Sequence, residues 1–214
     1  GLIRSFTGSH RYVLDYLVEE VLEQQSESVQ TFLLQTSVLD RLTGSLCDAV
    51  RFGYSDTTDR SVRAASSKGA ADNSQATLEG LERANLFIIP LDEERRWYRY
   101  HHLFADLLRQ RLLRTQPEQV PTLHLRASEW YEQNGFTAGA IEHALHSQDF
   151  ELAVSLIENV VDAMWGQDKH SMVQRWLDKL PVELVFTRPH LCVFLARNLF
   201  ASGQQDAAER ALQA

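Results

Sequence analysis

The chain has 214 residues, a net charge of −8 and 44% hydrophobic residues. That length admits one large domain or two small ones with a real core. The acidic balance argues against nucleic acid as the main partner, since a DNA-binding segment normally shows a basic face. No apolar run approaches the roughly 20 residues that a membrane-spanning helix requires.

The first residues lack the basic-then-apolar layout of a signal peptide. Cys47 and Cys192 lie far apart in sequence. Together these features favour buried free thiols and a cytoplasmic chain without a membrane partner. The sequence opens at Gly1 without an initiator Met and stops at Ala214 within an amphipathic run, so a piece of a longer protein is expected.

In chain order, Ser9 is placed to cap a helix whose apolar positions (Tyr12, Leu14, Leu17, Val18, Val21, Leu22) repeat at helical spacing. A short helix follows with Val29, Phe32, Leu33 and Thr36, and Thr43 is placed to cap a third with Leu46, Cys47 and Val50 inward. From Arg51 to Ser74 the pattern fails: Ser, Asp, Gly and Ala dominate, and large apolar residues are almost absent. That composition reads as an inserted loop. Leu78 and Leu81 mark another helix between Gln75 and Asn85. Leu86–Leu91 and Arg96–Tyr100 then have strand composition, with Asp92, Glu93 and Glu94 at the turn. Helix, helix, helix and hairpin is the layout of a winged helix.

A helix is expected from His102 to Leu113, and everything beyond Pro117 reads as helix. Leu123, Ala127, Trp130 and Tyr131 form one stripe, stopped by Asn134 and Gly135. Ala140, Ile141, Ala144 and Leu145 form the next, and Asp149 can cap the helix after it. Met172, Val173, Trp176 and Leu177 follow, then Leu191 to Phe200 and a last helix after Gly203. Ala140 and Ala144 after Gly135 are echoed by Ala207 and Ala211 after Gly203. Such paired helices are how a tetratricopeptide-type solenoid begins. The expected fold class is therefore mainly α: a winged helix with a small hairpin, then a helical arm and the start of a tetratricopeptide-like solenoid.

Catalytic signatures are missing. There is no Gly-x-x-x-x-Gly-Lys-Ser/Thr loop, no Gly-x-Ser-x-Gly elbow and no His-Glu-x-x-His pair. An enzyme is not expected in this segment, nor a cofactor bound by it alone. His143 and His146 share a helical face but no third ligand is signalled, so no metal site is expected. The basic stretch holds Arg95, Arg96, Arg99, Arg109, Arg111 and Arg114, yet the recognition-helix position offers Glu79 and Glu82 against a single Arg83. Carboxylates there repel a DNA backbone. His101 stands where the hairpin turns into a helix. A helix start favours anions, so an imidazole there can meet a phosphate; the plainer reading is a capping or packing ring.

Several segments together resemble one family: Phe32 to Leu42 (FLLQTSVLDRL), Leu81 to Phe87 (LERANLF), Trp97 to Leu108 (WYRYHHLFADLL), Trp130 to Gly135 (WYEQNG), Ala140 to Leu145 (AIEHAL), Trp176 to Leu184 (WLDKLPVEL) and Arg188 to Leu191 (RPHL). Their order and spacing resemble the large ATP-dependent LuxR-type transcription activators of the MalT family. The resemblance implies that residues 1–25 end an ATPase module. It assigns 26–114 to a winged helix with an expanded loop at 51–74, and 115–214 to an arm and the first sensor repeats. It also implies ATP or ADP bound by a neighbouring module that hydrolyses slowly, and a small-molecule or protein inducer met by the sensor repeats. DNA would be read by a separate C-terminal domain, with self-association on activation. In the wider class a Met-His-Asp motif of the winged helix contacts the β-phosphate of ADP. Tyr100-His101-His102 occupies the like place, with His101 on the motif's His and different flanking residues. The expected function is thus signal relay between nucleotide state and inducer sensing. The alternatives are a helical-repeat interaction scaffold and a winged helix that binds DNA directly.

Overall fold

The computed structural model describes residues 22–53, 73–166 and 170–201, with 203, 205, 208 and 209. The helix expected after Ser9, and residues 1–21 generally, lie outside the described residues, as do 54–72 of the expected loop and the Ala207 and Ala211 echo. The chain divides into two compact units, Gly1–Trp130 and Tyr131–Ala214.

In the first unit, helix α1 (Glu27–Thr36) starts where the Ser26 hydroxyl accepts the Val29 N–H. Helix α2 (Gly44–Phe52) is capped by Thr43 in the same way. Helix α3 (Ser74–Arg83) is capped by the Asn73 side-chain oxygen Oδ1, which accepts from the Gln75 and Ala76 N–H groups. Each cap satisfies amides that the first helical turn leaves without partners. Strands β1 (Ile88–Pro90) and β2 (Tyr98–Tyr100) pair antiparallel, with Ile88 opposite Tyr100 and Ile89 opposite Arg99. An isolated antiparallel bridge joins Leu42 to Tyr98 of β2. Helix α4 (His102–Thr115) follows directly, then a 3-10 turn and helix α5 (Val120–Gln133). Phe32, Leu46, Val50, Leu78, Tyr98 and Leu108 are buried at their centre. This is a winged helix, as the sequence pattern predicts.

Two boundaries move. Arg51 and Phe52, expected to open the loop, are the last turn of α2. The Arg51 guanidinium lies 4.5 Å from the Phe52 ring centroid and 5.2 Å from that of Phe32. Arg126 of α5 donates to the Val50 and Arg51 carbonyls at 3.1 and 3.0 Å, so a distant cation caps this helix end. Both strands are also shorter than their apolar runs. Phe87 and Arg95 take positive φ, at 54° and 52°, and extended pairing stops there.

In the second unit, Gly135 takes φ 77°, the left-handed conformation that lets the chain turn after α5. Helices α6 (Thr137–Ser147) and α7 (Phe150–Glu158) pack as a pair. Ala140 and Ala144 are fully buried, as the small-residue spacing anticipates. Asp149 caps α7 by accepting the Leu152 N–H at 3.1 Å. Helices α8 (Val161–Gly166), α9 (His170–Leu177), α10 (Val182–Phe186) and α11 (Pro189–Ala201) complete the unit. The five-residue α10 falls between Pro181 and Pro189, inside the stretch that the sequence reads as helical throughout. Cys47 and Cys192 are free and buried.

Glu142 of α6 ties this unit together. Its two oxygens accept the Trp176 indole N–H at 2.7 Å and the Lys179 ammonium at 2.6 Å. Burial pushes its carboxyl up, but those hydrogen bonds and the Lys179 charge outweigh burial and hold it below the ordinary glutamate value. A depressed folded-state pKa gives stability that is complete above the unfolded value, 4.5, and is lost as pH falls through the folded value. Thermal melts of the wild-type chain are therefore expected to fall more steeply below that pH than melts of Glu142→Gln. Parallel curves would remove the linkage.

Candidate functional site

The strand-to-helix junction at Tyr100, His101 and His102 is the most chemically distinctive place in the winged helix. Tyr98 and Tyr100 are buried while Arg99 between them is exposed, so β2 has an inward and an outward face. His101 continues the outward row. Its N–H donates to the Phe87 carbonyl at 2.7 Å, and its backbone stays extended (φ −58°, ψ 135°), so α4 begins only at His102. The His101 ring caps nothing, which removes the capping alternative. It is half-buried, and its centroid lies 4.5 Å from that of the exposed His102. No carboxylate occupies the first turn of α4.

The platform under this junction is rigid. The Tyr100 hydroxyl meets Thr36 Oγ1 at 2.7 Å, and Thr36 Oγ1 in turn donates to the Phe32 carbonyl at 2.7 Å. Thr36 has a single proton to give, so the phenol is the donor in the first bond. Burial pushes the Tyr100 phenol well above its ordinary range and keeps it protonated for that role. The Phe104 ring stacks edge-on against Tyr100, with centroids 5.7 Å apart, and leans on Phe87 at 5.2 Å. Neighbouring Cys47 is fully buried, and burial raises its thiol far above the reactive range, so it is a packing residue.

Three of the six arginines of the basic stretch are paired with carboxylates. Arg95 pairs with Glu82 at 3.2 Å, Arg96 with Glu94, and Arg109 with Asp40 at 2.7 Å. On α3, Glu82 also accepts from the Tyr98 hydroxyl, and Glu79 accepts from Gln75 at 3.0 Å. The recognition-helix position thus turns carboxylates toward its own wing. His143 and His146 separate in role: His143 stacks on Tyr131 at 5.2 Å, and His146 Nδ1 bonds the Glu142 carbonyl at 2.7 Å. No cluster of three metal-ligating side chains is found among the described residues.

The family model for the MalT winged helix domain matches residues 18–120. MalT transcriptional regulators of Vibrio parahaemolyticus and Vibrio cholerae are 31% and 30% identical over 188 residues, 88% of this chain. The chain belongs to the MalT family. The serine/threonine-protein kinase PknK of Mycobacterium tuberculosis is also similar, at 31% identity over 195 residues and 91% of this chain. The chain spans less than a fifth of these relatives, 19% of each MalT protein and 16% of the kinase. The matched winged-helix segment includes the whole His101 junction. Sequence reasoning reached His101 through this MalT likeness and the strand-to-helix change. It did not reach the bridge from Leu42 to Tyr98, which joins segments 56 residues apart. The period-2 alternation from Tyr98 to His101 was the only local signal.

Proposed function

We propose that this chain is a signal relay within a larger, ligand-activated regulator of transcription. In the resting state the winged helix packs against a nucleotide-binding module, and His101 meets the terminal phosphate of ADP. Inducer engagement by helical repeats shifts the arm and releases that contact, and self-association follows. DNA is read by another domain, and this segment performs no catalysis of its own. The setting is cytoplasmic.

One observation carries the reading. His101 sits at a helix start on the outward face of a braced platform, and its ring makes no hydrogen bond among the described residues. A coupling element needs contacts that differ between two states, and an uncommitted imidazole on a rigid base is suited to make one. Similarity of one segment both to MalT regulators and to a protein kinase also favours a relay over a reader or a catalyst.

The test is His101→Ala in the full-length protein. ADP affinity is expected to fall about tenfold, the scale of one hydrogen bond to a charged group, with basal activity raised. Unchanged affinity together with unchanged basal activity removes the phosphate contact. Direct DNA binding by the winged helix predicts salt-sensitive retention of duplex DNA. The recognition-helix position is turned to its own wing, Glu82 toward Arg95 and Tyr98, so no retention is expected in a low-salt mobility shift.

A further inference from the structure

Helix α5 is fastened to two separate parts of the winged helix, and both fastenings come from one face. Arg126 and Trp130 are one helical turn apart on α5, so their side chains stand one above the other. Arg126 Nη1 donates to the Val50 and Arg51 carbonyls at 3.1 and 3.0 Å. These belong to the last turn of α2, where a helix leaves its carbonyls without partners of its own and where a cation is favoured. The Trp130 indole meets the Trp97 indole edge-on, with centroids 6.4 Å apart. Trp97 closes the base of the wing: its carbonyl accepts the Leu91 N–H at 2.8 Å, and its own N–H donates to Asp92 Oδ1 at 3.3 Å. The end of α2 is tied in turn to α3, since Arg51 Nη1 donates to Ser74 Oγ and Asp48 Oδ1 accepts the Ser74 N–H, both at 3.4 Å.

These fastenings differ from the bonds of the core in what parting them costs. Thr36 and Tyr100 bond where both side chains are buried, and separating them would strand polar groups away from water. Arg126, Arg51 and Trp97 are half-buried, and Phe52 next to Arg51 is exposed. Water can hydrate the guanidinium and both carbonyls once they part, so α5 can lift without leaving a buried polar group unpaired. The buried Trp130 ring favours the closed position. We propose that α5 is a strap, closed in this structure, whose release loosens the end of α2 and the wing together. Arg126 and Trp130 are its positioning residues, one at each attachment. Open and closed forms then differ in defined contacts, as a conformational switch requires. The strap is independent of any contact between His101 and a phosphate.

A plain helix cap makes a narrower prediction, and amide hydrogen exchange of the full-length protein separates the two. Arg126→Gln removes the cation at little cost in helix propensity. Exchange should speed about tenfold, the scale of one hydrogen bond to a charged group, at Phe52, at Gly53, whose N–H bonds the Ala49 carbonyl, and at Ser74. Speeding of the same size is expected at Leu91 and Trp97, which belong to the Trp130 attachment. Coupling between two sites acts equally in both directions, so Trp130→Leu should speed exchange at Phe52 and Gly53. Arg126→Lys restores a cation and should recover most of the protection at both attachments. Amides inside α1, such as Leu33 and Leu34, should exchange in Arg126→Gln as they do in the wild type. A change confined to the end of α2 and Ser74 would make Arg126 a cap alone and overturn the strap. Equal speeding at every amide, α1 included, would be a global loss of stability and would overturn it too. Should Trp130→Leu fail to fold, the wing amides of Arg126→Gln decide the matter by themselves.

Discussion

Trp176→Ala is expected to destabilise the second unit by about 3–5 kcal/mol. The side chain is fully buried, among the largest in the chain to be so, and lies on α9 where that helix packs against α6. Its removal leaves a cavity that the α6–α7 pair can fill only in part. It also takes the indole donor from Glu142, whose other oxygen stays with Lys179. Small domains have only about 5–15 kcal/mol in total, so this one change removes a large fraction. The measurement is chemical denaturation followed by circular dichroism. Trp176→Phe separates the two contributions: it keeps most of the ring volume and loses the N–H, and a loss of about 1–2 kcal/mol is expected. Equal losses in the two variants would show that the hydrogen bond, and not the packing, dominates.

Most of the described helices were legible because their information is local. Leu46, Cys47 and Val50 recur at helical spacing behind Thr43, and that spacing alone decides which face turns inward. The hairpin was legible as two apolar runs, but its short extent was not. Phe87 and Arg95 adopt positive φ without being glycine, and nothing in their side chains announces it. The end of α2 was misread for a different reason. Its last carbonyls are satisfied by Arg126, some 75 residues later, so the local drop in apolar content gave a false stop.

The candidate site divides in the same way. His101 was reachable because a change from strand to helix marks the junction. The charge state of its surroundings was not, because Asp40 and Arg109 meet across 69 residues and Tyr100 meets Thr36 across 64. A count of six arginines between Arg95 and Arg114 suggests a basic patch. Pairing reduces the outward wing to Arg99, and pairing is a tertiary fact. The α3 carboxylates point the same way: they repel DNA in the sequence and, in the fold, are spent on Arg95, Tyr98 and Gln75. A winged helix whose recognition element is tied to its own wing is suited to contact a neighbouring module through the wing's other face.

Phe104→Ala is expected to cost about 3–5 kcal/mol in the first unit and, under the relay proposed above, to abolish the response of the full-length protein to ADP. Phe104 is buried to 2% exposure and supports both sides of the junction, Tyr100 on β2 and Phe87 before β1. Phe87 holds a left-handed backbone that costs an aromatic residue about 1–2 kcal/mol, and its carbonyl receives the His101 N–H. Deleting the Phe104 ring removes what offsets that cost. Phe87 is then free to return to negative φ, which withdraws the acceptor from His101 and lets the imidazole leave the outward row. Stability and response should separate in Phe104→Leu. Leucine retains most of the apolar volume, so the stability loss should be under about 1.5 kcal/mol, yet it offers Phe87 no aromatic face. A weakened ADP response in that variant, with the melt nearly preserved, is the result that a positioning role requires. Full response in Phe104→Leu would show that Phe87 is held by its own hydrogen bond, with the aromatic stack serving the core alone.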